Sequence, residues 1–236
     1  MPTNLPPIPA QPFPGEPAGL HEAGEPLVEL SGFVHGRLDV QMAYCRQGIP
    51  HAIPTAWLRQ GAAERLQKAL DQLPEGYGLR IFDAWRPLAV QQALFDAYAA
   101  RVREETRGMC LSEEDFLLRV RQFVSLPSTD VRHPSAHNTG GAVDLTLIGP
   151  DGQELDMGTG FDDFTAAAHT AALEAGGDSE ARENRRLLYA CMTAAGFTNL
   201  PTEWWHYDYG DAFWSYYTGE PALYTGILEG DDQYGK

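Results

Sequence analysis

Apolar positions along the chain fall into short periodic runs separated by glycine and proline. Between residues 60 and 73, Ala62, Leu66, Ala69, Leu70 and Leu73 recur at spacings of three and four, which predicts a helix closed by Pro74-Glu75-Gly76. Leu79 to Trp85 reads as a strand. Pro87 fits the first turn of a helix, where a missing N–H costs nothing, and Leu88, Val90, Gln91, Leu94, Phe95 and Tyr98 carry that helix to about Arg103. Ser112 ahead of Glu113, Glu114 and Asp115 signals another helix start, with Phe116, Leu117, Val120, Phe123 and Val124 as its buried face. A polar loop follows from Ser125 to Gly141, then a strand from Ala142 to Ile148 and a turn at Gly149-Pro150-Asp151-Gly152. Further helices are expected at about 162–175 and from Glu180 to Ala195, the second closed by Gly196. Strands are expected near Val28–Val34 and over 203–217. Helix and strand mix without regular βαβ alternation, so the pattern predicts one α+β domain rather than a doubly wound sheet.

Composition adds limits. Seven of the 17 prolines fall in residues 1–17, so residues 1–26 are expected to form an extended, proline-rich leader and 27–236 the folded domain. The chain carries 17 basic and 33 acidic residues, a formal charge of −16, and its 15 arginines and two lysines are scattered. A nucleic-acid binder needs a basic stripe, so that class is excluded. No apolar run reaches the ~18 residues of a membrane span. The leader has neither a basic start nor an apolar stretch, so no secretion signal is expected. Cys45, Cys110 and Cys191 are far apart and odd in number. They argue against a disulfide framework or a Cys-based zinc knuckle, and for free thiols in a reducing, cytoplasmic setting.

Two segments carry candidate chemistry. In Ser135-Ala136-His137-Asn138-Thr139-Gly140-Gly141-Ala142-Val143-Asp144, strand alternation sets Asp144 and Thr146 opposite Val143, Leu145 and Leu147. Asp144 is thus expected on an open or polar surface, and the glycines let the loop return His137 beside it. In Pro201-Thr202-Glu203-Trp204-Trp205-His206-Tyr207-Asp208, a regular strand would separate Glu203 from His206. Pro201 suggests a bend that unites them, with Trp204, Trp205, Tyr207 and Tyr209 as dry walls. Two imidazoles and a carboxylate suit a catalytic zinc that keeps one position for water, with a free carboxylate as proton acceptor. On this reading His137, Asp144 and His206 are ligands and Glu203 is the base. Structural histidines and a core tryptophan pair account for the same letters. Arg86, in Phe82-Asp83-Ala84-Trp85-Arg86-Pro87, can bind a carboxylate or an oxyanion, or be an ordinary surface arginine.

Taken together, Ser-x-His-x6-Asp, Glu-x-x-His within EWWHY, and D-A-W-R-P resemble the zinc D,D-dipeptidases of peptidase family M15, the VanX type. That group also contains D,D-carboxypeptidases and the hedgehog signalling domain. The resemblance spans roughly residues 27–217, with further echoes at Val34-His35-Gly36, Tyr77-Gly78-Leu79, Met157-Gly158, Phe161-Asp162 and Asn184-Arg185-Arg186. It implies a small antiparallel sheet flanked by helices and one Zn2+ per chain, held by His137, Asp144 and His206. It implies Glu203 as general base and Arg86 as stabiliser of the transition state. It also implies Asp162 as partner of the substrate ammonium and Ser135 as partner of its carboxylate. The substrate implied is a small D,D-dipeptide, D-Ala-D-Ala first, in a small closed cavity. One feature departs from the family: Met42 stands where a tyrosine meets the substrate amine, and Tyr44 lies two residues on. Two rivals remain open, a D,D- or L,D-carboxypeptidase acting on peptidoglycan stem peptides and a hedgehog-like zinc module without catalysis.

Overall fold

The computed structural model describes residues 5–121, 123–177 and 179–228. Its elements run β1 (Leu27–Glu29), α1 (Leu30–Phe33), β2 (Leu38–Val40), α2 (Ala43–Arg46), β3 (Trp57–Arg59), α3 (Gln60–Asp71), β4 (Gly78–Asp83), α4 (Leu88–Glu105), α5 (Glu113–Arg121), β5 (Ala142–Ile148), α6 (Glu180–Ala194), β6 (Thr198–Asn199), β7 (His206–Asp208) and α7 (Ala212–Thr218). The architecture is α+β. A five-stranded sheet has the order β2-β4-β5-β7-β6, and β1 pairs with β3 in a separate ribbon. The sheet is antiparallel except at its β2–β4 edge, which is parallel.

β5 is the central strand, and all seven of its residues are buried. Val143, Leu145 and Leu147 enter one core with Leu66 and Leu70 of α3, Leu79 and Ile81 of β4, and Leu188 and Met192 of α6. Each such side chain, fully buried, contributes roughly 1.5–3 kcal/mol. A second, smaller cluster joins Ala99 and Val102 of α4 to Phe116 and Val120 of α5. These two helices therefore pack mainly on each other and form a flap beside the sheet.

Four expectations change. Val28–Val34 begins as a strand but turns helical at Leu30. Residues 162–175 make two short 3-10 turns, Ala166–Ala168 and Ala172–Ala175, in place of a helix. Residues 203–217 hold a three-residue strand and then α7, whose start is capped by Asp211 accepting from the Trp214 N–H at 2.9 Å. Phe123 lies past α5 and is exposed rather than on a buried face.

Residues 5–26, the described part of the proline-rich segment, form no helix or strand, yet they pack against the body. Ile8 is buried and its N–H donates to Glu174 at 3.0 Å. Phe13 meets Phe213 edge-on at 6.1 Å, and Glu25 accepts from the Gly61 N–H at 2.7 Å. Among the described residues no helix is long and apolar enough to cross a membrane.

Candidate metal centre

Asp144 sits opposite His206 on one neighbouring strand and opposite Asp83 on the other. Residues opposed in this way present their side chains to the same face. An irregularity between Ile81 and Asp83 aims Asp83 at this rung, the re-aiming that bulges perform beside active sites. His137 arrives from a 3-10 turn, Ala136–Thr139. Gly140 ends that turn in the left-handed region at φ +75°, and a Cβ on Gly141 would stand 2.3 Å from the Tyr209 carbonyl oxygen. Both glycines are needed for the loop to fold back.

His137, Asp144 and His206 are all buried, and one ligand atom from each lies within 4.8 Å of the others. Their outer hydrogen bonds fix the tautomers. His137 Nδ1 faces the Ala84 carbonyl at 2.8 Å, and His206 Nε2 faces Asp208 Oδ1 at 2.8 Å. Both partners only accept, so each of these nitrogens carries the hydrogen. His137 Nε2 and His206 Nδ1 are left as bare lone pairs 3.2 Å apart. The Asp144 carboxylate approaches them at 3.2 and 2.9 Å. Three electron-rich groups facing one another need a cation between them. An imidazole whose second N–H is held by a carbonyl or carboxylate is also how metal-binding histidines are oriented. The donor set therefore fits a metal ion such as zinc.

The carboxylates draw positive charge to this cluster. Burial pulls His206 down, but Asp208 and Asp144 outweigh it and hold the ring well above its ordinary value, so a proton competes with a metal for its Nδ1. Burial raises Asp144, but His137 and His206 hold it below the usual carboxylate range. Behind the rung, burial and the neighbouring Asp208 push Asp211 well up, which favours its neutral form beside Asp208.

All seven expected residues line one cavity of about 300 Å³. Glu203 precedes β7 in a turn, which removes the strand alternation that would have separated it from His206; the two are 4.0 Å apart. Burial pushes Glu203 up to about 7. Arg86 is buried, not a surface residue. Its Nε and Nη2 donate to Asp83 at 2.8 and 2.6 Å and its Nη1 to Gln91 at 2.7 Å. Burial lowers its pKa, but Asp83 outweighs this and raises it. A guanidinium has five N–H groups, so two remain for the cavity. Asp162 sits at φ +58°, a conformation rare for a residue with a side chain. Burial and Asp144 push it up to about 7, and the Tyr44 hydroxyl donates to it at 3.3 Å. Ser135 precedes the His137 turn on the same wall.

Asp144 projects away from the core, as expected, and into the polar side of the cavity, where it is only 2% exposed. Two expectations about this region fail. Trp204, Trp205, Tyr207 and Tyr209 pack into the core, and none lines the cavity. The cavity is open on one side rather than closed, and its walls come from Tyr44, Leu94, Tyr98, Phe123 and Phe164. The sequence reading missed Asp83, Asp208 and Gln91. Asp83 and Asp208 lie within three residues of assigned positions, so the signal was local. Gln91 read only as part of a helix face.

Residues 43–221 match the Peptidase M15 family, described as D-ala-D-ala dipeptidase. A D-alanyl-D-alanine dipeptidase of Synechocystis is 33% identical over 176 residues, 67% of this chain and 71% of that protein. One of Escherichia coli is 35% identical over 133 residues, 56% and 55% of the two. VanYB in complex with D-alanine-D-alanine is a solved structure similar at TM-score 0.46 and 16% identity, over 87% of this chain and 94% of that one. By the extent of the family match and by the Synechocystis relative, the chain belongs to the peptidase M15, D-ala-D-ala dipeptidase, family.

Proposed function

We propose that the chain is a zinc-dependent dipeptidase that hydrolyses small D,D-dipeptides, D-Ala-D-Ala among them, with one zinc ion per chain. The observation that carries this reading is the meeting of two imidazole nitrogens and a carboxylate beside Glu203, 4.0 Å from His206, and a buried guanidinium. His137 Nε2, His206 Nδ1 and Asp144 would hold the metal. Zinc so held supplies Lewis acidity and lowers the pKa of a water to about 7.

The chain's own residues would do the rest. Glu203, raised to about 7, is suited both to take a proton from the attacking water and to return it to the departing amine. Arg86 turns its two spare N–H groups toward the developing oxyanion, while Asp83 and Gln91 hold its plane. Asp162 binds the substrate ammonium and Ser135 its carboxylate. A carboxylate for a free ammonium favours a dipeptide, because a longer peptide has no charge to place there. Cys45, Cys110 and Cys191 are unpaired, which supports a reducing, cytoplasmic setting.

The test is D-Ala release from D-Ala-D-Ala by the metal-loaded chain, with L-Ala-L-Ala and a pentapeptide ending in D-Ala-D-Ala as controls. Atomic emission should find about one zinc per chain. Glu203→Gln should keep the zinc and lose about 10²–10⁴ in kcat. Near wild-type turnover by that variant would sink the assignment.

A further inference from the structure

The cavity has two unlike sides. One is ionic and carries the groups described above. The other is apolar, formed by Leu94 and Tyr98 of α4, Phe123 and Val124 after α5, and Phe164 of the loop that carries Asp162. Three of these are rings that gather on one another. Tyr98 and Phe123 lie 5.9 Å apart, Tyr98 and Phe164 5.7 Å, and Phe123 and Phe164 5.2 Å. They stand outside the main core, and Phe123 remains 37% exposed. Covering such surface is favourable in proportion to the area removed from water. The methyl groups of two alanines cover little of it, whereas an aromatic or branched side chain would pack on the ring edges and faces.

From this we infer that the preferred substrate is a D,D-dipeptide with a large apolar side chain at one of its two residues, seated on Tyr98, Phe123 and Phe164. The inference rests on the D,D-dipeptidase reading and names its substrate class. Continuity commits the wall to the substrate: these rings line the same cavity as Arg86, Asp162 and Glu203. The flap that supplies two of the three rings is tied to the catalytic groups as well: Gln91 of α4 accepts from Arg86 Nη1 at 2.7 Å and donates to the Ser125 carbonyl at 2.7 Å, so wall and site share one frame.

The test compares kcat/KM of the zinc-loaded chain for D-Ala-D-Ala, D-Phe-D-Ala, D-Ala-D-Phe, D-Leu-D-Ala and D-Ala-D-Leu. Added apolar groups in a fitted pocket are worth about 10-fold or more. At least one bulky dipeptide should therefore exceed D-Ala-D-Ala by about tenfold. Phe123→Ala, at a partly exposed position, should cut that ratio by about tenfold, and Phe164→Ala should do the same. D-Ala-D-Ala cleaved as well as or better than every bulky dipeptide overturns the inference and leaves the activity standing. A ratio unmoved in both variants also overturns it. No cleavage of any dipeptide overturns the activity, and the inference with it.

Discussion

Two arginines are buried almost equally, Arg86 at 8% exposure and Arg185 at 2%, and they do opposite things with their charge. Arg86 faces a carboxylate, Asp83, which raises its pKa against the effect of burial. Its other edge lines the cavity. Among the described residues, Arg185 has no carboxylate within bonding reach. Its Nε, Nη1 and Nη2 donate to the carbonyls of Met157, His169 and Ala167 at 2.7, 2.8 and 2.9 Å, and burial pulls it down to about 10. Arg59 repeats the second pattern, donating to the carbonyls of Thr139, Glu25 and Thr225. Burial thus does not decide what an arginine is for. A carboxylate partner leaves a cation with a free edge, whereas carbonyl partners make it a staple for irregular backbone. Arg185 staples the loop that carries Asp162 in its left-handed conformation, and Arg59 staples the end of the His137 turn.

The difference breaks most visibly at Arg86. Arg86→Lys keeps a cation beside Asp83 but loses the planar fork. Its kcat should fall by about 10²–10³, as for loss of one oxyanion donor. Its melting temperature should move by no more than about 4 °C, near 1 kcal/mol for a chain of this size. A kcat within a few-fold of wild type would remove Arg86 from the chemistry. Arg185→Met should act in the reverse sense. Three carbonyls lose their donor, and the one on buried Met157 is left unsatisfied at a cost of about 1–3 kcal/mol. The Asp162 loop then loosens, and KM should rise by about tenfold, equivalent to 1.4 kcal/mol, with far less change in kcat. An N-acylated dipeptide, which has no ammonium for Asp162, should show no such rise. Equal KM values for wild type and variant on the free dipeptide would make Arg185 purely structural.

The same contrast explains what the sequence could and could not convey. α3, β4, α4, β5 and α6 were legible because their apolar periods are long and uninterrupted, as in Ala62, Leu66, Ala69 and Leu70. The site letters were legible because short spacings bind them to local geometry: His137 to Gly140 and Gly141, and Glu203 to a turn after Pro201. Residues 162–175 were not legible. Their order comes from Arg185, and Thr170 donates to Leu200 at 3.3 Å across the chain. No period in Ala166-Ala167-Ala168 encodes a bond to a guanidinium on another helix. The cavity wall failed for a related reason. Trp204 and Trp205 sit beside His206 in sequence but face the core, whereas Tyr98 and Phe123 are brought in from the flap.

The smallest expected effect lies one residue from the staple, at Arg186. This arginine has the carboxylate partner that Arg185 lacks: its Nε donates to Glu174 at 2.9 Å, and its Nη2 pairs with the same carboxylate. Glu174 also accepts from the Ile8 N–H, so one acid ties α6 to the proline-rich segment. Arg186 holds Glu174 below its ordinary value of 4.5. A carboxylate depressed on folding contributes stability that is present above the unfolded pKa and is lost as pH falls through the folded one. The pair is partly solvated, so its contribution should stay near the upper end of surface pairs, about 1 kcal/mol. Glu174→Gln should therefore lower the melting temperature by about 2–4 °C at pH 7, a gap that narrows as the pH is taken below 4. The Asp162 loop keeps its three carbonyl bonds to Arg185 in that variant, so KM should not move. A KM change as large as that of Arg185→Met would mean that the loop is held by the ion pair and not by the staple.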